Sequence, residues 1–260
     1  MNCKNCDTAL RTDFAYCPGC GGKVVEKRLT FTGLWADIYE RFLNIDSTIF
    51  RTLRDMTLRP QWVIHAYVDG VRRKYMNPLN YFGLSLFLSG FLFYCLKKFA
   101  LEQIDFDIFG LEVQNQVSAK VMDAVMEYSS FIYMLYIPII ALSGFLTLNS
   151  KRYNLPEYLV ASVYALSHLS ILTFLPVMAV IVFNPQAYME VSLWMIPAML
   201  VFPVYVFLRT HPLPVLPAIG RSLLYMLLFL IGYFGLSIAI NLILFLTGDL
   251  NIDDFKPPKA

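Results

Sequence analysis

The sequence predicts an all-α polytopic membrane protein of about five transmembrane helices, with a small N-terminal zinc ribbon and amphipathic juxtamembrane helices. Three observations carry this reading. The chain is 57% apolar and 15% charged, with a mean hydropathy of +0.55, whereas soluble domains are about 45–50% apolar and 25% charged. Residues 79–246 contain long runs without an ionisable side chain, while residues 1–78 are polar and charge-rich. Four of the five cysteines fall within the first twenty residues. Two segments adapted to two solvents account for all three. The net charge of +2 averages over both and selects no partner class.

The N-terminus reads Cys3-Lys-Asn-Cys6, ten residues, then Cys17-Pro-Gly-Cys20-Gly-Gly. Each Cys-x-x-Cys pair forms a knuckle that aims two thiolates at one ion, with glycines supplying the turn. Two knuckles this close complete a tetrahedral sulfur cage suited to structural Zn²⁺, with Cys3, Cys6, Cys17 and Cys20 as the metal ligands. A redox-active or disulfide-bonded pair is the alternative, disfavoured in a reducing cytosol. The short spacer predicts a minimal two- or three-stranded ribbon over residues 1–28. No apolar segment of the signal-peptide kind occurs in the first thirty residues. Lys4, Arg11, Lys23, Lys27 and Arg28 face Asp7, Asp13 and Glu26. Four thiolates on one Zn²⁺ cancel that basic surplus, so no clear nucleic-acid surface remains.

Residues 29–78 have helical periodicity without the length to span a bilayer. Trp35, Ile38, Tyr39 and Phe42 share one face. A second helix opens at Asp46-Ser47 and presents Ile49, Phe50, Leu53 and Met56 among Arg51, Arg54 and Asp55. A third starts at Pro60, a residue tolerated at the first helical position, and runs toward Arg72-Arg73-Lys74. Aromatic residues and a terminal basic cluster suit the headgroup layer, and packing on the membrane domain suits them equally. Gly70 allows a turn, and Pro78 opens the first span.

The membrane domain is residues 79–260. Five apolar runs are long enough to cross about 30 Å of hydrocarbon: 79–96, 129–148, 158–183, 191–208 and 223–246. Eight basic residues (Arg59, Arg72, Arg73, Lys74, Lys151, Arg152, Arg209, Arg221) flank one side and five (Lys97, Lys98, Lys120, Lys256, Lys259) the other. The positive-inside rule then places the N-terminus in the cytoplasm, and five spans place the C-terminus outside. Residues 100–128, with six acidic side chains, read as an extracytoplasmic loop containing a short amphipathic helix. Within the spans the polar candidates are His168, beside Ser162, Ser167, Ser170 and Thr173, and Asn241, four residues after Ser237. Helix-to-helix hydrogen bonding is the competing reading for both. Pro138, Pro176, Pro197 and Pro203 are expected to kink their helices. Gly235/Ala239 and Ser85/Ser89 have small-xxx-small spacing, compatible with oligomerisation.

Two stretches resemble a known family. They are the Cys3–Gly22 knuckle pair, and the run from Asp46 through Arg59-Pro60 to Tyr67-Val-Asp-Gly-Val-Arg-Arg-Lys-Tyr-Met-Asn-Pro78-Leu-Asn-Tyr81. They resemble a bacterial family of uncharacterised proteins catalogued as domain of unknown function 3667. The resemblance implies a zinc ribbon before a membrane domain, with a Tyr-x-x-Gly-x-Arg-x-x-Tyr-x-x-Pro motif leading into the first span. In this chain the motif is Tyr67, Gly70, Arg72, Tyr75 and Pro78, with Arg73 and Lys74 adding charge. The five-span layout also resembles Yip1-like membrane proteins.

Functionally the sequence favours a membrane-anchored interaction or assembly protein. Its ribbon and its Tyr67–Pro78 surface would bind lipid or a cytoplasmic protein partner. A transporter, channel or lipid-handling protein with a cavity between kinked helices is the alternative. No metalloprotease, paired-carboxylate, nucleophile-elbow or phosphate-loop motif is visible, so an enzyme is not expected.

Overall fold

Proline and asparagine set where several of the helices begin. In this computed structural model, residues 2–3, 5–21, 24, 48–100, 128–150 and 153–247 are described. Helix α1 covers 48–58, and α2 (Pro60–Val68) follows with its proline in the first turn, where no N–H is needed. The chain then turns at Gly70, whose φ of +85° is a left-handed conformation costly for any residue with a Cβ. Helix α3 (Pro78–Cys95) is capped by Asn77, whose side chain accepts from the Leu79 N–H at 3.0 Å. It continues through a π-helical turn, Leu96–Ala100, that carries Lys97 and Lys98.

Helix α4 is Ser129–Thr147. Helix α5 (Leu155–Phe183) starts from a full capping box, in which Asn154 and Glu157 exchange side-chain-to-backbone hydrogen bonds of 3.2 and 2.7 Å. A 3₁₀ turn, Pro185–Ala187, leads into α6 (Tyr188–Leu193), α7 (Met195–Thr210) and α8 (Val215–Thr247). Pro138, Pro176 and Pro203 lie inside α4, α5 and α7, as membrane helices permit.

Among the described residues, three helices are long and apolar enough to cross a membrane: Pro78–Ala100, Leu155–Phe183 and Val215–Thr247. The pair Pro185–Leu193 and Met195–Thr210, bent by 43°, makes a fourth if it is one span. The expected single run 191–208 is therefore broken at Trp194. Pro197 explains the position: it has no N–H for the Leu193 carbonyl four residues back, and its ring crowds that carbonyl. The run 129–148 forms a shorter apolar helix, Phe131–Thr147. The count from length and composition is thus three to four spans.

The chain divides into two compact units, Met1–Asp46 and Ser47–Ala260. In the first, Cys3, Leu10 and Cys17 form a small core. An antiparallel bridge joins Asn2 to Ala9, and Tyr16 also takes part in a bridge; among the described residues no longer strand is present. In the second unit α3, α4 and α8 pack around α5 and α7, and α1–α2 belong to the same core. Tyr81, Tyr158, Tyr164, Phe207, Tyr225 and Phe229 are fully buried there. The expected helix over 33–45, the acidic loop over 101–127 and the C-terminal residues 248–260 lie outside the described residues.

Candidate functional site

The four N-terminal cysteines converge. All four sulfur atoms lie within 4.8 Å of one another, with Cys3 to Cys20 at 3.7 Å and Cys6 to Cys17 at 3.5 Å. Disulfide sulfurs sit about 2.05 Å apart, so these are not bonded pairs. A tetrahedron of thiolates with Zn–S near 2.3 Å has edges of about 3.8 Å, close to both separations. The two knuckles are built alike. The Asp7 N–H donates to the Cys3 carbonyl at 2.9 Å and the Gly21 N–H to the Cys17 carbonyl at 2.8 Å. Asp7 and Gly21 have φ of 56° and 70°, which folds each knuckle back around its thiolates. Cys3 and Cys17 are buried while Cys6 and Cys20 are exposed. The donor set fits one soft-thiolate metal ion closed to further ligands. Cys95, buried in α3, is not part of this group.

The second assembly is an elbow, residues 48–78, bolted to the membrane helices. Its motif residues separate into a buried and an exposed set. Tyr75 and Pro78 are buried, Tyr67 is half-buried, and Arg72, Arg73 and Lys74 are exposed. The Tyr75 hydroxyl donates to Asp55 Oδ2 at 2.9 Å, and Arg54 Nε donates to Asp55 Oδ1 at 2.9 Å. Asp55 is only 4% exposed. Burial alone would raise its pKa, but the hydrogen bonds from Arg54 and Tyr75, with the charges of Arg54 and Lys74, hold the carboxylate below its ordinary range. Burial, reinforced by Asp55, pushes the Tyr75 phenol up to about 12. Thr52 donates to the Thr48 carbonyl at 2.7 Å and accepts from the Met76 N–H at 3.0 Å. Sequence periodicity put Asp55 on the polar face of α1 and Phe50 on the apolar one. The reverse is found: Phe50 is 71% exposed, because Asp55 has two donors that let it enter the core. The signal was Thr52, Asp55 and Met56 on one helical face, with a tyrosine twenty residues on.

His168 joins the elbow to the bundle. Its Nδ1 is 2.7 Å from the Tyr81 hydroxyl and its Nε2 is 3.0 Å from Thr57 Oγ1. Thr57 spends its one hydroxyl hydrogen on the Leu53 carbonyl at 2.8 Å. Its oxygen therefore accepts from His168, which assigns the ring hydrogen to Nε2 and makes Nδ1 the acceptor for Tyr81. Tyr81 meets the ring end-on through this hydrogen bond, and Phe202 stacks on the ring with centroids 5.3 Å apart. Two more phenols reach the elbow backbone: Tyr164 donates to the Met76 carbonyl at 2.7 Å and Tyr205 to the Thr57 carbonyl at 2.9 Å. These partners are invisible to sequence periodicity. Asn241 lies elsewhere, exposed on α8, with its amide donating to the Ser237 carbonyl of its own helix at 2.8 Å. The two intramembrane polar candidates do not form one site.

The outer side of the elbow is basic and aromatic. The Arg59 guanidinium lies 4.4 Å from the Trp62 ring, with Lys74 Nζ 5.9 Å from the same ring. Arg72 lies 5.6 Å from the Tyr67 ring. Trp62 is 45% exposed.

Residues 46–90 match the family model described as Protein of unknown function (DUF3667). The match runs from α1 into α3, and it contains Thr52, Asp55, Thr57, Tyr75 and Tyr81. The matched stretch is thus the part of the chain that supplies the elbow's half of the network. No curated protein and no solved structure matches the chain.

Two outcomes test this geometry. Metal analysis of protein purified without chelator is expected to give one zinc per chain, and Cys17→Ser to lose it. Full retention in that variant would remove the assignment. Tyr75→Phe strips a donor from a buried carboxylate and is expected to destabilise the fold by about 1–3 kcal/mol. Because the pKa of Asp55 is depressed in the folded state, its contribution is present above the unfolded value of about 4 and lost as pH falls through the folded one. Without Tyr75 the folded pKa rises, so acid unfolding in detergent is expected to begin at a higher pH than in the native chain. An unchanged acid profile would show that Tyr75 does not support the carboxylate.

Proposed function

We propose that the chain is a non-catalytic, membrane-anchored docking protein of a bacterial cytoplasmic membrane. A structural zinc ribbon and a rigid basic–aromatic elbow would bind a cytoplasmic protein partner at the bilayer surface. The observation that carries this reading is the division of labour in residues 48–78. Asp55 and Tyr75 brace the elbow from within, Thr57 and the Met76 carbonyl fix it to α5 and α7, and Arg59, Trp62, Arg72 and Lys74 remain on its outer side. A surface held this firmly offers recognition at little ordering cost. Each basic side chain near an anionic surface contributes about 1 kcal/mol, within a Debye length.

Five spans, in a Yip1-like layout, belong to the same proposal. Helix α4 has 19 residues, about 28 Å at 1.5 Å per residue, which approaches the hydrocarbon thickness. Counting the bent pair once, α3, α4, α5, α6–α7 and α8 then give an odd number. The orientation is supported by ring contacts that gather the elbow and two helix ends at one end of the bundle. His65 of α2 meets Tyr153, and Tyr153 meets His211. Arg59, Arg72, Lys74 and Arg209 belong to these same segments, as a cytoplasmic face requires.

A periplasmic-active reporter fused after residue 260 is expected to be active, and one fused after residue 151 silent. A silent C-terminal fusion would mean an even number of spans. For the surface, Arg72 and Arg73 are replaced by glutamine while Lys74 stays as a topological anchor. The variant is expected to insert normally and to lose anionic lipid and the protein partner that the native chain retains. Correct insertion with all lipids and partners kept would leave the basic cluster as an orientation signal alone.

A further inference from the structure

A cavity of about 280 Å³ lies between α3, α4, α5 and the bent α6–α7 pair, just below the usual size of small-molecule pockets, about 300–1,000 Å³. Its walls are mostly apolar, among them Leu86, Phe93, Leu169, Val177, Met195 and Met199. The two methionines bring adaptable packing to one wall. Ser89 and Ser170, both lining it, sit near the middle of α3 with its π turn and of α5, so the cavity lies at mid-depth of two apolar helices long enough to span. One wall is the helix pair broken at Trp194. Discontinuous helices at mid-membrane are where ligand sites are built in membrane proteins.

The hydroxyls in its wall define the ligand. Tyr133 donates to the Leu166 carbonyl at 2.9 Å, Thr173 to the Leu169 carbonyl at 2.9 Å and Ser192 to the Met189 carbonyl at 2.7 Å. Their hydrogens are committed; the oxygens of Thr173 and Ser192 keep lone pairs for another donor, and that of Tyr133 is met by Ser85 and Ser170. Ser89 and Ser170 are 2.9 Å apart. One hydrogen is spent between them. The Tyr133 oxygen is a second acceptor within reach of Ser170; when Ser170 donates to Ser89, the Ser89 hydrogen is the one the pair still has to give. The site therefore offers several acceptors and one donor. None of the residues lining it carries a charge, so an ionised ligand would enter without a counter-charge, at a prohibitive cost in desolvation.

We propose that this cavity binds an uncharged lipophile with a hydroxyl group, its apolar body against the methionine and leucine wall and its oxygen at the Ser89–Ser170 pair. A hydroxyl both donates and accepts, which is what this arrangement of groups can satisfy. A plain acyl chain would fill the volume and leave the serine pair unanswered.

The test uses the full chain in phosphatidylcholine nanodiscs and two photoreactive probes. One is a long-chain fatty alcohol with a diazirine on its chain, the other the corresponding diazirine hydrocarbon. The alcohol is expected to label peptides from α3 and α5 saturably and in preference to the hydrocarbon. Ser89→Ala combined with Ser170→Ala preserves the cavity and is expected to reduce that preference about five-fold, the weight of one net hydrogen bond. Ser170→Phe fills the cavity and should abolish saturable labelling, while Leu227→Phe on the exposed face of α8 should leave it intact. Equal labelling by both probes, or a preference that survives the double alanine variant, would overturn the proposal and leave the space to bulk lipid.

Discussion

His168 has two ring nitrogens, and each is committed to a different part of the chain. Nδ1 holds Tyr81 in the first membrane helix and Nε2 holds Thr57 at the end of α1. The ring is fully buried, with Phe202 stacked on it. At this depth an unpaired imidazole or hydroxyl has no water to turn to. The elbow, the first span and the central helix are therefore a single hydrogen-bonded unit. What surrounds it follows from that lock: the phenols of Tyr164 and Tyr205 fasten the elbow backbone, and Asp55 enters the core because Tyr75 and Arg54 meet it there.

Much of this frame was legible in the sequence because it rests on local chemistry. The cysteine spacing fixed a convergent thiolate group. Pro60 and Pro78 marked helix starts, Gly70 marked a turn, and Pro197 accounts for the break that divides α6 from α7. The prolines and the glycine act through their own backbone or through neighbours within four residues, and the cysteines lie within eighteen positions. The rest was hidden because it depends on partners far along the chain. Nothing near Asp55 indicates that Tyr75 will stand opposite it, so periodicity assigns the carboxylate to water and Phe50 to the core. His168 was visible as an outlier among apolar residues, and the serines beside it suggested local partners. Its actual partners come from Thr57 and Tyr81, 111 and 87 residues away.

The same distinction separates the two candidate sites. A thiolate cage is specified by four residues within eighteen positions, so its chemistry can be read directly from their order. The cavity is specified by four helical segments and by the bend at Trp194, and no single stretch of sequence contains it. Prolines announce that such helices will bend. Where the bend leaves space, and which hydroxyls face it, depends on packing across the bundle.

The span of the elbow's bonds also sets an order of assembly. Thr57 leaves the ribosome well before His168 and Tyr205, which follow it by 111 and 148 residues. At roughly 5–20 residues per second, the delay for the later partner is about 7–30 s. Through that interval Thr57 and the Met76 carbonyl lack their bundle partners, and water at the membrane surface must satisfy them. The elbow is thus among the first parts of this unit to be made and among the last to be fastened. Its docking reports that α5 and α7 have been inserted and have found their places.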